Sequence, residues 1–232
     1  MDTSAGKMIA IPPGQVTLSD RRTQRSWSVE LAPYELAAFP VTQALYAQVT
    51  GLRPSTAQGD PMPVESVSWW DAVRFCNALS QRDGFAPAYH LHADAEGIEW
   101  DASADGYRLP TEAEWEHACR AGTTGPHYGP LDEIAWYRGN SHEQIHDVGG
   151  KQPNPWGLYD MLGNVWDWCW DIYDAEAYGA YRVLRGGGWF DEHWSCRASA
   201  RRRSHPTFHV DDVGFRVARC AMTAARQSYR IT

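Results

Sequence analysis

The sequence has no long apolar run. Its first residues, MDTSAGKMIAIPPG, hold only a short apolar stretch broken by Pro12 and Pro13, and nothing longer follows, so neither a signal peptide nor a membrane span is expected. A disulfide framework is missing as well. The five cysteines, Cys76, Cys119, Cys169, Cys196 and Cys220, are an odd number at wide, irregular spacings, unlike a zinc ribbon, which points to reduced thiols in a cytoplasmic protein. Nor is there an excess of basic charge: 21 Lys+Arg against 29 Asp+Glu give −8, which sets nucleic acid and membrane surfaces aside as partners and leaves room only for a local basic patch. Linkers, low-complexity tracts and tandem repeats are absent too.

What the chain has in plenty is aromatic surface. With 12 Trp and 11 Tyr in 232 residues and 43% apolar side chains, it is long and apolar enough for one large domain with a sizeable core. Large rings that carry one polar atom each need a hydrogen-bond partner when buried, so this composition suits a fold of long, ordered loops pinned by local bonds.

Local patterns place three helices. In TQALYAQVTG, Leu45, Tyr46 and Val49 recur at helical spacing from Thr42 and Gly51 supplies a stop. In SVSWWDAVRFCNALSQRDG, Ser68 and Asp71 form a variant capping box, Trp69, Val73, Cys76 and Leu79/Ser80 share one face, and Gly84 ends it. In PTEAEWEHACRAG, Thr111 and Glu114 make the fuller box and Gly122 the stop, with Trp115 and Ala118/Cys119 facing inward. MIAIPPGQVTL and SWSVELAPYELAAFPVT read as short strands, Gly51 to Pro63 reads as a loop, and the rest reads as strand-poor, glycine-rich and aromatic.

Six segments in order, MIAIPPG, FPVTQALYAQV, PVESVSWWDAVRFCNALS, GYRLPTEAEWEHACRAGT, NPWGLYDMLGNVWDWCWD and RVLRGGGWF with VGFRVAR, resemble the formylglycine-generating-enzyme (sulfatase-modifying-factor) family. The resemblance implies an α+β, C-type-lectin-like fold with few helices, short antiparallel strands and much ordered loop. It covers a domain over 8–220, with 1–7 and 221–232 as terminal extensions. It also implies a calcium site in GLYDMLGNVWDW, formed by the side chains of Asp160 and Asp167 and the backbone carbonyls of Gly163 and Val165; hard oxygen donors on a tight loop suit that ion. The alternative is that both carboxylates cap loop amides without metal.

In the oxygen-using members of the family, copper sits between two cysteines four residues apart. Here the matching stretch is GGGWFDEHWSC, where Gly188 replaces a serine, Asp191 stands at the first cysteine and Cys196 falls at the second. One thiolate and one carboxylate make a poor site for soft Cu(I), so formylglycine formation is not expected. Three readings of the region stay open, one catalytic and two not. One is a metal-dependent oxidoreductase of the wider family working through Asp191, His193 and Cys196, with copper, or with non-heme iron held by imidazoles and a carboxylate from Asp191, Glu192, His193, His205 and His209. Another is a non-catalytic binding or display protein, and the last is an accessory protein keeping the fold alone. Trp189, Phe190, Trp194, Arg197, Arg201, Arg203, His205, Phe208 and His209 mix aromatic, cationic and imidazole groups as recognition surfaces do, and would take a small molecule or a peptide or protein ligand. Some bacterial retroelement systems diversify this face in C-type-lectin-like relatives.

Overall fold

The computed structural model describes residues 6–91 and 97–221. In chain order these form β1 (Met8–Ile11), β2 (Gly14–Asp20), β3 (Arg25–Leu31), β4 (Tyr34–Ala37), α1 (Gln43–Thr50), α2 (Trp69–Arg82), β5 (Tyr89–Leu91), β6 (Ile98–Trp100) and β7 (Tyr107–Arg108). There follow α3 (Glu112–Arg120), α4 (Leu131–Ile134), β8 (Trp166–Ile172), α5 (Ala175–Tyr178), β9 (Arg182–Arg185), β10 (Arg201–Ser204), β11 (Val213–Gly214) and β12 (Ala218–Cys220). No helix among the described residues is long and apolar enough to cross a membrane.

The three helices read from the sequence start where their caps put them. Ser68 accepts from the Asp71 amide while the Asp71 carboxylate accepts from the Ser68 amide, and Thr111 and Glu114 repeat the exchange at α3. Trp69, Val73, Cys76, Leu79 and Ser80 are buried, as are Trp115, Ala118 and Cys119, so the apolar stripes of α2 and α3 face the core. Glu114 does more than cap: it takes a forked pair of bonds, both 2.6 Å, from the buried Arg108 at the end of β7. That pair locks strand to helix across Pro110.

The expectation of a strand-poor second half needs correction. One four-stranded sheet, β1-β4-β12-β7, joins the two ends of the domain, and another, β10-β9-β8-β11, is built wholly from residues after 165. Pairing is antiparallel except between β11 and β8, which run parallel. The strand β8 is hard to see in sequence because its first four residues, Trp166 to Cys169, are all buried. Burial on both faces erases the alternation by which strands are recognised.

Between Ile134 and Trp166 there is neither helix nor named strand. This long segment is nevertheless bonded throughout. Asn154 donates to the carbonyls of Ala118 and Cys119 and accepts from the amides of Trp156 and Leu158. Gly163, at φ +74, passes so close to Trp136 that a Cβ would lie 2.2 Å from its carbonyl oxygen. The buried tryptophans find acceptors: the indole N–H of Trp69 donates to Cys169 O, that of Trp168 to Val67 O and that of Trp115 to Asp167. These long-range bonds tie the aromatic interior to the loops.

Candidate binding face and cation cradle

The glycine run before residue 189 lets the chain pass over Cys196. Gly187 lies at φ +86, and a Cβ there would sit 2.6 Å from the Cys196 sulfur. The thiol is fully buried, and burial, reinforced by Asp191, pushes it up to about 12. A thiol held in that state is a poor nucleophile and a poor metal ligand. Asp191 is spoken for as well: its Oδ2 accepts from the Trp166 indole at 2.6 Å and from the Gly188 amide at 2.9 Å. His193 stacks edge-on to Trp194 in solvent.

The imidazoles expected as iron ligands lie apart. The Nδ1 of His205 meets Thr207 Oγ1 at 2.8 Å, whereas His209 Nε2 meets Asp71 at the start of α2 at 3.1 Å. No group of three or more His, Cys, Asp and Glu side chains among the described residues is arranged to hold a metal ion. Among the described residues the donors expected for copper or iron are thus not brought together.

The calcium expectation meets a different geometry. Asp160 is 2% and Asp167 1% exposed, and a buried cation, Arg216, donates through Nε to Asp167 Oδ2 at 2.7 Å and through Nη2 to Asp160 O at 2.9 Å. Asp167 lies on β8 rather than in a shared loop. Its Oδ1 is buried without a hydrogen-bond partner among the described residues. Burial pushes the Asp160 carboxyl up to about 6 although the Gly149 amide donates to it. The bare Asp167 Oδ1 is the one observation that speaks for the hard cation which the resemblance implies at Asp160, Asp167 and the carbonyls of Gly163 and Val165.

The segment 189–209 does not form one surface. Strand β10 sends alternate arginines to opposite faces. Arg201 and Arg203 lie against Tyr173, at 4.5 and 5.2 Å from its ring, with Arg203 also 3.6 Å over Tyr178. Arg202 points the other way, 5.5 Å over Trp166 and 3.5 Å from Asp191. Phe208 and His205 pack together near Tyr181, away from Trp194. Trp189 is half-buried, its indole donating to Asp211 O, and Phe190 lies under Arg138.

Beside Trp194 opens a cavity of about 460 Å³. Its walls include Asp191, Trp194, Arg197, Arg201 and Arg202 from the expected segment. Facing them are Asp20 at the end of β2 and Arg21 and Arg22 in the turn to β3, with Trp166 and Tyr173 from β8 and its end. Reading the sequence missed this second wall, and nothing local signals it: residues some 170 positions apart meet only through the tertiary fold.

The chain matches the model of the sulfatase-modifying factor enzyme 1-like domain over residues 1–221. It belongs to this family. A chaperone protein LppX from Paenibacillus barcinonensis is 28% identical over 94% of the chain and 91% of its own length. The bovine (Bos taurus) inactive C-alpha-formylglycine-generating enzyme 2 is 31% identical over 90% of the chain and 64% of its own length. The chain spans 25% and 38% of two chlamydial serine/threonine-protein kinases pkn1 that it also matches. Among solved structures, Treponema denticola variable protein 1 superposes with a TM-score of 0.85 at 33% identity, covering 92% of this chain and 95% of that one. The C-type-lectin-like architecture expected from the resemblance is the one observed.

Proposed function

We propose that this chain is a non-catalytic, ligand-binding member of the family whose ligand is a peptide or protein segment seated at the cavity beside Trp194. The observation that carries the reading is the contrast within one stretch of chain. Cys196, the one thiol at the family's reactive position, is sealed under Gly187, while Trp194 and Phe190 beside it are 54% and 50% exposed. Exposed rings next to arginines are what recognition surfaces use. The oxidoreductase reading has no donor set of this kind behind it. The variable protein that shares the fold at a TM-score of 0.85, and the bovine relative named as inactive, support a scaffold used without the founding chemistry. Calcium enters as a structural ion at Asp160 and Asp167.

Elemental analysis of the purified chain, with oxygen uptake followed over thiol peptides and small thiols, tests this reading. Less than stoichiometric copper and iron, and no metal-dependent oxygen use, is the expected result. One copper or iron per chain with oxygen consumption that follows it would sink the binding reading and restore the oxidase.

A further inference from the structure

The cavity beside Trp194 reverses the sign of the molecule that carries it. Five arginines, Arg21, Arg22, Arg197, Arg201 and Arg202, and two aspartates, Asp20 and Asp191, line it, so 5 − 2 leaves +3 within a chain of net −8. Two of these cations are neutralised from outside the cavity. Arg201 is held by the Glu112 carboxylate in a forked pair, and Arg22 is paired with Asp174. Arg201 is therefore a wall, not a hand.

The remaining cations are placed differently. Arg202 is 55% exposed at its side chain, lies 5.5 Å over the Trp166 ring, contacts Asp191 Oδ1 at 3.5 Å and stands near Asp212. Arg197 spends its Nε on the Trp194 carbonyl at 2.6 Å, which anchors the guanidinium in the cavity wall. Arg21 stands exposed at the mouth and pairs with no carboxylate among the described residues. A fixed guanidinium presents parallel donors matched to the two oxygens of a carboxylate. Trp194, 54% exposed, supplies a flat apolar wall beside them.

We propose that the cavity is the receptor for an acidic side chain, Asp or Glu, of a protein partner, bound through Arg197 and Arg202 with the flanking apolar part of the segment against Trp194. The proposal rests on the binding reading above and names its partner class. Repulsion from the acidic remainder of the chain does not oppose it at close range, because at physiological salt charges are screened beyond about 8 Å.

Random peptides displayed on phage, selected against the full chain and counter-selected against an R197Q/R202Q double variant, test it. Arg202 is exposed and Arg197 half-buried, and an unchanged melting temperature shows that the variant keeps the fold. Peptides rich in Asp or Glu next to an apolar residue are expected. For the best synthetic one, Glu→Gln in the peptide or R202Q in the protein should each weaken binding about tenfold or more, and added salt should weaken the acidic peptide alone. Selected peptides that are neutral or basic, and that still need Trp194, would overturn the acidic partner while leaving the binding face standing. No peptide retained over the double variant and over W194A would overturn both.

Discussion

Asp171 illustrates how a single half-buried acid writes itself into the behaviour of the protein. It follows the buried part of β8 and accepts the Glu112 amide at 2.6 Å, the first free N–H of α3. Burial, with Glu112 adding repulsion, pushes its carboxyl up to about 6. The folded state thus binds a proton that the unfolded chain, with an ordinary carboxylate near about 3.9, has already released. The stabilisation this gives is fully present below about pH 4 and is lost as pH rises through about 6. Asp171→Asn keeps an oxygen for the Glu112 amide and removes the titration. Denaturant melts between pH 4 and pH 7 should show the variant gaining about 2 to 3 kcal/mol on the native protein across that range. Parallel curves for the two proteins would refute the assignment. Arg201 makes the complementary point: it reads in sequence as a ligand-binding arginine, but its charge is consumed by Glu112, 89 positions earlier.

At the scale of elements, the start of α3 is the best-determined feature of the chain, because every part of its box lies within a few residues. Thr111→Ala should cost about 1 kcal/mol, the usual loss of an N-cap. Glu114→Ala should cost more, about 3 to 5 kcal/mol, since it also strands the buried Arg108 guanidinium. Urea unfolding of the two variants orders them, and equal losses would mean that the Arg108 pair contributes nothing beyond the cap. The same locality explains what could be read beforehand. Ser68, Thr111 and Gly51 announce their helices through neighbours three or four residues away. The strands β8 to β11 did not announce themselves, since Trp166, Asp167, Trp168 and Cys169 are buried without alternation. The proposed binding face is half legible in the sequence. The aromatic and basic content of 189–209 marked one wall, but Asp20 to Arg22 and Tyr173 reach the cavity through tertiary closure, for which sequence spacing holds no sign. His205 and His209 were grouped with that wall by proximity in sequence, and the fold sends them toward Tyr181 and Asp71 instead.

Across the whole molecule, Arg216 is where the separate parts are joined. Its guanidinium reaches Ala37 O at the end of β4 in the N-terminal sheet, the carbonyls of Tyr159 and Asp160 in the long ordered segment, and Asp167 on β8. A cation at Asp160 and Asp167 would sit on the same junction, so its loss should loosen the entire domain rather than one loop. Binding to the folded state alone stabilises by an amount set by the ratio of free ion to dissociation constant, about 2.7 kcal/mol at a hundredfold excess. For a domain of this length that corresponds to a shift of about 5 to 10 °C in melting temperature. Chelation with EGTA should lower the transition by that order, and calcium should restore it where magnesium does not, because an irregular set of two carboxylates and two carbonyls suits the larger, less demanding ion. Asp160→Ala should melt lower and lose the response to calcium altogether. A native protein whose transition ignores the chelator would leave Asp167 Oδ1 as an oxygen buried at a cost, with the Arg216 pair alone holding the junction together.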